Sequence, residues 1–147
     1  MYIIKEYNTF KEESHQLAGI ALIVDNKKIC LVLPKKFKGD EKYSIPKGHV
    51  EEDKSLFHNA YLEMREETGI DIGLRQVDSS FKYTYKKNGI KKNLHVFIIK
   101  VTKEEYEDLE KGKRDKKEIR KVKLCKRKKA LDLVEPHFKK LIRYLFK

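Results

Sequence analysis

The sequence of this chain clearly indicates one helix, and segments with strand-like patterns precede and follow it in the sequence. The helical pattern covers residues 55–68. Ser55 or Asp53 can cap its start, and Gly69 suits the left-handed position just past its end. A helix placed between runs of strands predicts an α/β fold rather than a helical bundle.

The strand-like segments are apolar and β-branched, or alternate between apolar and polar residues. They cover residues 17–24, 28–34, 43–46, 79–101 and 118–124. The first two segments are expected to pair with each other. The third is expected to end at Pro46, before a loop over 47–53. The segment 79–101 is expected to form a hairpin that turns at Asn88-Gly89. Residues 103–113 read as a charged helix or loop, and Pro136 starts a last helix. We expect one domain over 1–147, with a mixed sheet covered by helices on both faces.

The charge balance points to an anionic partner. Lys and Arg outnumber Asp and Glu by 35 to 23, which gives a net charge of +12. A nucleotide, a polyphosphate, a nucleic acid or a membrane surface would suit this balance, and so would a lysine-rich surface that meets only water. The longest apolar run, 17–24, is too short to span a bilayer. We therefore expect no membrane partner. Cys30 and Cys125 stand far apart in the sequence, which favours a reduced, cytoplasmic protein.

Against this basic background, the predicted helix carries a cluster of acids. Glu63, Glu66 and Glu67 fall within an arc of about 100° on a helical wheel. Three neighbouring carboxylates repel one another, so a positive partner should offset them. Lysines from nearby loops or a hard divalent cation could do so. A solvated acidic face is the alternative.

The segment before the helix favours the cation. Gly48 stands between a strand end and the helix start, where a glycine lets backbone groups approach a metal or a phosphate closely. The stretch 48–70 then resembles the Nudix box, which runs Gly, five residues, Glu, seven residues, Arg-Glu, apolar, any, Glu-Glu, any, Gly, apolar. The matching residues are Gly48, Glu63, Met64, Glu66, Glu67, Gly69 and Ile70.

Two motif positions depart from the box. Lys54 stands where the motif has its first glutamate, and Leu62 where it has its arginine. In the family, that arginine is understood to brace the loop and the catalytic carboxylates. Losing both charges together removes a buried charge and its support without stranding a partner. The departures bear on rate and metal geometry more than on the fold.

The resemblance implies a Nudix-like α/β/α sandwich and an enzyme, a pyrophosphohydrolase that uses Mg²⁺ or Mn²⁺. It would cleave a phosphoanhydride in a nucleoside-diphosphate-linked substrate. Carried over by position, Glu66 and Glu67 would be metal ligands, Glu63 a ligand or an orienting residue, and the Gly48 carbonyl a further ligand. The catalytic residues would be Glu63, Glu66 and an acid from a later loop, for which Glu118 is the candidate or else a solvated charge.

Basic residues near the box are candidates for binding substrate phosphates. They are Lys36, Lys38, Lys47, His49 and Lys92. They favour a dinucleoside polyphosphate, a nucleoside triphosphate or an RNA 5′ end, and the tract 121–129 could hold an RNA backbone. Tyr43, Tyr83 and Tyr85 could stack on a base or pack in the sheet. The alternative function is a catalytically weak Nudix domain that binds nucleotide or RNA.

Overall fold

The computed structural model describes residues 14–33, 42–73, 75–112 and 121–147. Within these ranges, six strands form one mixed sheet, and four α-helices and one short 3₁₀ helix, Pro136–Phe138, accompany it. The strands are β1 (Ser14–Val24), β2 (Lys28–Val32), β3 (Lys47–His49), β4 (Ser79–Lys87), β5 (Ile90–Val101) and β6 (Val122–Lys126). The helices are α1 (Leu56–Thr68), α2 (Lys103–Lys111), α3 (Arg127–Leu133) and α4 (Lys139–Leu145).

The sheet is built around a long parallel pair. Strands β1 and β5 run side by side from Ser14 opposite Lys91 to Val24 opposite Val101. Strand β4 extends the sheet on one side in the order β4-β5-β1-β2-β6, and the other pairings between the described strands are antiparallel. Strand β3 pairs with the first half of β1 and places Gly48 opposite Ala18. The segment that carries the box is therefore fixed to the centre of the sheet.

Helices cover both faces of the sheet, as the sequence predicts. On one face, Ala60 and Met64 of α1 and Tyr106 of α2 pack on one core cluster with Ile20 and Ile99. The other face has its own core, to which α3 and α4 contribute Ala130, Leu141 and Ile142. None of the described helices, of which α1 is the longest with 13 residues, is long and apolar enough to cross a membrane.

The central helix begins and ends where its sequence indicates. The Ser55 hydroxyl accepts a hydrogen bond from the His58 N–H at 3.0 Å, so Ser55 rather than Asp53 is the cap. At the other end, Gly69 has a φ of 76° and its N–H bonds the Arg65 carbonyl at 2.9 Å. The hairpin turn at Asn88-Gly89 is also confirmed, with φ values of 53° and 76°.

One strand prediction is wrong in its bounds, and another can be compared only over its described residues. The third strand is not 43–46 but Lys47–His49, inside the predicted loop, while Tyr43 and Ser44 make only isolated bridges. Pro46 has no N–H to donate, although its carbonyl accepts from Ile20 at 3.1 Å, and pairing with β1 starts after it. The last described strand runs over Val122–Lys126 and does not include Lys121, and residues 118–120 of the predicted segment 118–124 lie outside the described part.

Candidate active site

A row of three polar side chains on α1 faces the segment that leads into this helix. Asn59, Glu63 and Glu67 follow one another at four-residue spacing, so they lie on one face of α1. Each contacts a successive part of the segment 47–55. The row therefore joins the helix to β3 and to the loop that follows it.

Glu67 holds the start of β3. Its side chain is buried at 5% exposure, and Oε1 accepts a hydrogen bond from the Lys47 N–H at 2.9 Å. A buried carboxylate is costly unless it is hydrogen-bonded. The backbone contact fixes this carboxylate within one residue of Gly48.

Glu63 lies directly against Gly48. A Cβ built on Gly48 would fall 2.1 Å from Cδ of Glu63 and 2.3 Å from its Oε1. Real Cβ atoms do not approach other atoms this closely, so only glycine leaves room for this carboxylate. The contact places the Glu63 carboxylate beside the backbone of β3, as a shared ligand site would require.

Glu66, the third acid of the arc, points to solvent and is exposed. Among the described residues, no group of three or more His, Cys, Asp or Glu side chains stands ready to hold a metal ion. Mg²⁺ rarely uses a complete protein cage and binds through one or two carboxylates, waters and substrate phosphates. Glu63 and Glu67, held at β3 with Glu66 beside them, offer the hard oxygen donors that such a cation takes.

Asn59 is the residue that the sequence interpretation missed. Its side chain is buried at 4% exposure. Oδ1 accepts from the Glu51 N–H at 2.9 Å, and Nδ2 donates to the carbonyls of Glu51, Lys54 and Ser55 at 3.1, 3.3 and 2.9 Å. A helix pattern alone gives no signal for this role, since an asparagine on a polar helix face is more often solvated.

The two departures from the box lie beside this loop. The Lys54 ammonium bonds Oε2 of Glu51 at 2.5 Å and Oδ1 of Asp53 at 3.3 Å, so it is neutralised within its own loop. These hydrogen bonds raise the pKa of Lys54. Leu62 is half-buried on α1. The loop thus carries its own cation where the motif has an acid.

The predicted phosphate-binding residues divide between two places. His49 and Lys92 come together around His15: Nζ of Lys92 lies 2.7 Å from Nδ1 of His15, and the rings of His15 and His49 lie 5.4 Å apart, edge to face. Lys47 instead places its ammonium 5.6 Å above the Phe138 ring. Lys36, Lys38 and the catalytic candidate Glu118 lie outside the described residues.

The His15–His49–Lys92 cluster is an electropositive site. Burial lowers the pKa of His49, and the charges of Lys92, His15 and Lys47 lower it further. Burial also lowers the pKa of Lys92, with the charge of Lys87 as the second cause. The positive charge that disfavours protonation of His49 favours an anion at the same place. Side chains alternate along a strand, so His49 and Gly48 project to opposite faces of β3, with the carboxylates on the Gly48 side.

An ion-pair network borders this cluster. Nζ of Lys87 lies 3.1 Å from Oε1 of Glu135, and Nε2 of His137 lies 3.4 Å from Oε2 of Glu135. Burial alone would raise the pKa of Glu135, but the close contact with His137 and the hydrogen bond from Lys87 outweigh it and hold this pKa at about 2. The network ties the β4–β5 hairpin to the C-terminal segment.

The tyrosines pack rather than present a base-stacking surface. Tyr43 is fully buried and Tyr85 is 8% exposed. The Tyr85 ring stacks on His137 at 4.5 Å, and the Tyr83 hydroxyl donates to the His137 carbonyl at 2.5 Å. In the basic tract, Lys123 lies 5.4 Å over the Tyr43 ring, whereas residues 126–129 are exposed.

With this geometry in place, comparison with protein families shows that residues 14–145 fit the NUDIX domain model. The chain belongs to the Nudix family. The resemblance read from residues 48–70 is therefore confirmed. No curated protein sequence matches this Nudix chain.

Solved structures support the same fold. An Ap4A hydrolase from C. elegans, in a binary complex, has a TM-score of 0.67 at 18% identity, covering 88% of this chain and 93% of its own. The MutT protein from Methanosarcina mazei Go1 has a TM-score of 0.65 at 16% identity, covering 90% and 92%. A bifunctional NMN adenylyltransferase/ADP ribose pyrophosphatase from Francisella tularensis, complexed with AMP and Mn ion, has 0.63 at 17%, covering 98% and 46%. The α/β/α fold prediction is confirmed.

Proposed function

We propose that this Nudix domain, taken as one unit over residues 1–147, is a metal-dependent pyrophosphohydrolase. The observation that carries the proposal is the double anchoring of two carboxylates to β3: Glu63 against Gly48, and Glu67 on the Lys47 N–H. Glu66 and Glu67 act as ligands of Mg²⁺ or Mn²⁺, with Glu63 as a ligand or an orienting residue and the Gly48 carbonyl as a further donor.

The reaction is the hydrolysis of a phosphoanhydride. The oxygen of a water molecule attacks one phosphorus, the bond from that phosphorus to the bridging oxygen breaks, and the departing phosphate keeps the electron pair. A bound Mg²⁺ or Mn²⁺ supplies charge neutralisation and acidifies water. One carboxylate would take the proton of the attacking water, and the described candidates for this base are Glu63 and Glu66. Glu118, outside the described residues, remains the candidate acid from a later loop.

The substrate class follows from where the cations lie. His49 and Lys92 stand on the opposite side of β3 from the carboxylates. A substrate that meets both places needs phosphates beyond the bond that breaks. This favours a dinucleoside polyphosphate, a nucleoside triphosphate or an RNA 5′ end, and the net charge of +12 supports a polyanionic substrate. We propose a cytoplasmic setting, in which the free thiols of Cys30 and Cys125 stay reduced.

The test is release of phosphate and pyrophosphate from a panel of substrates. The panel holds diadenosine tetraphosphate, ADP-ribose, nucleoside triphosphates and 5′-triphosphorylated RNA, each with Mg²⁺ and with Mn²⁺. Glu66→Gln is the test variant, since Glu66 is exposed and its loss leaves the fold unaffected. Glu104→Gln, an exposed acid on α2, is the matched control. Turnover that Glu66→Gln abolishes and Glu104→Gln keeps supports the hydrolase.

One observation favours a second function. Lys54 and Leu62 replace two charged motif positions, which suits a domain that binds nucleotide or RNA with little catalysis. Such a domain binds members of the panel but releases no product with either metal. That outcome would replace the hydrolase proposal with a recognition role.

A further inference from the structure

The loop between β3 and α1 is held by contacts that differ from the motif pattern. The motif places an arginine at the position of Leu62, and Leu62 has no charge to offer. Asn59, three residues earlier on the same helix, makes four hydrogen bonds to residues 51–55. Asn59 therefore holds this loop to α1 through hydrogen bonds that Leu62 cannot make.

Both the oxygen and the nitrogen of the Asn59 side-chain amide form hydrogen bonds with residues 51–55. The Glu51 N–H requires an acceptor, so Oδ1 faces it, and this orientation turns Nδ2 toward three carbonyls. At 4% exposure, water does not replace these bonds readily. An aliphatic side chain at position 59 would leave the Glu51 N–H without this acceptor.

The second departure supports the same loop. Lys54 donates from Nζ to Glu51 and Asp53, and its backbone carbonyl is one of the acceptors for Asn59. Residues 51, 53, 54 and 59 thus form one connected network. A glutamate at position 54 would meet two acids in this loop instead of pairing with them.

The network acts on the carboxylates through the row on α1. Asn59 lies one turn before Glu63, and the loop that Asn59 holds continues into His49 and Gly48. There is no room for even one further atom between Gly48 and the Glu63 carboxylate. A shift of the loop would therefore change the distance between the glycine and this carboxylate.

We propose that Asn59, together with Lys54, is a positioning residue that holds Gly48 against Glu63, in place of the motif arginine. This rests on the proposed function for its catalytic consequence. It implies that the departures at 54 and 62 are compensated, so that the chain keeps a metal-binding arrangement despite them.

The experiment measures Mn²⁺ affinity by electron paramagnetic resonance, together with Tm and turnover. Asn59→Ala is expected to weaken Mn²⁺ binding about tenfold or more, as is usual for residues that support metal ligands. Asn59→Asp keeps the acceptor for the Glu51 N–H but removes the donor contacts, so it serves if Asn59→Ala does not fold. Ile142→Val and Ile142→Ala, in the opposite core layer, provide controls of matched Tm loss.

Rescue separates positioning from general stability. Adding Lys54→Glu and Leu62→Arg together to Asn59→Ala is expected to restore Mn²⁺ affinity to within about threefold, whereas the same two changes in the wild type alter it by less than about twofold. Unchanged Mn²⁺ affinity in Asn59→Ala would overturn the proposal, as would an equal loss in the Ile142 control of matched Tm. A wild type that binds no Mn²⁺ would overturn it too. A wild type that binds Mn²⁺ but hydrolyses nothing refutes the hydrolase alone.

Discussion

Gly48 and Glu63 are in contact so close that the glycine has no room for a side chain. A methyl group on Gly48 would lie 2.1 Å from Cδ of Glu63. The two residues come from a strand and from a helix, so their contact fixes the distance between β3 and α1. It also decides where one carboxylate of the acidic helix can stand.

Gly48→Ala is expected to displace the Glu63 carboxylate and to reduce turnover by about tenfold to a hundredfold. The clash is with the end of a flexible side chain, so Tm should fall by only a few degrees at most. Enzyme assay and thermal denaturation of the same preparations would check this. Gly112→Ala is the matched control, since a Cβ there meets its nearest atom, the Leu109 carbonyl oxygen, at 3.6 Å. Full activity in Gly48→Ala would contradict the role of the contact.

Two substitutions of Glu67 can test the effect of its charge and the effect of its hydrogen bond separately. In Glu67→Gln the amide oxygen can still accept from the Lys47 N–H, so the free energy of unfolding should change little while turnover is lost. Glu67→Ala leaves that partly buried N–H without its partner, which should lower the free energy of unfolding by about 1–3 kcal/mol more. Urea denaturation and the activity assay together distinguish the two variants. Equal stability in both would argue against the Lys47 contact.

Much of this arrangement could be predicted from local sequence. Ser55 and Gly69 mark the ends of α1, and Asn88-Gly89 marks the hairpin, because caps and tight turns depend on a few adjacent residues. The acidic face of α1 also follows from helical spacing alone. Local spacing does not distinguish the burial of Glu67 from the exposure of Glu66, since that depends on where β3 lies.

Contacts between distant residues could not be predicted from one sequence. His15 and Lys92 are 77 residues apart and meet because β1 and β5 pair in parallel, a register that the sequence does not state. Lys87 and Glu135 are 48 residues apart and meet where the hairpin reaches the C-terminal segment. The alternation of tyrosines along β4 predicts that they share one face of the strand, but not which residues pack on that face. In the structure, the ring of His137 covers Tyr85.

His49 should report on substrate phosphates. Burial and nearby cations lower its pKa from the usual value of 6.5, so its titration by NMR should have a midpoint below that value. A bound polyphosphate would favour the protonated ring and raise the midpoint. Lys92→Met should raise it in the free protein, since the Lys92 charge is one of the causes. Lys100→Met, at an exposed lysine paired with Asp78, is the control. If neither bound nucleotide nor Lys92→Met changes the titration midpoint of His49, then His49 lies outside the phosphate site.

Glu135 should make the fold sensitive to acid. Its pKa is about 2 in the folded protein, against 4.5 for an ordinary glutamate. As pH falls below about 4.5, the unfolded chain takes up the proton first, so the stabilising contribution is full above that pH and is lost as pH approaches 2. For a side chain this covered, the contribution is on the order of 2 kcal/mol.

Urea denaturation from pH 7 to pH 2.5 would measure this contribution. Glu135→Gln is expected to be less stable than wild type at pH 7, and the difference should shrink steadily below about pH 4.5. Asp78→Asn is the control, because its ion pair with Lys100 is exposed at 3.8 Å and contributes little. A difference that stays constant down to pH 2.5 would mean that the carboxylate of Glu135 is not held ionised by Lys87 and His137. The coupling of the hairpin to the C-terminal segment would then rest on the Tyr83–His137 hydrogen bond and on ring packing.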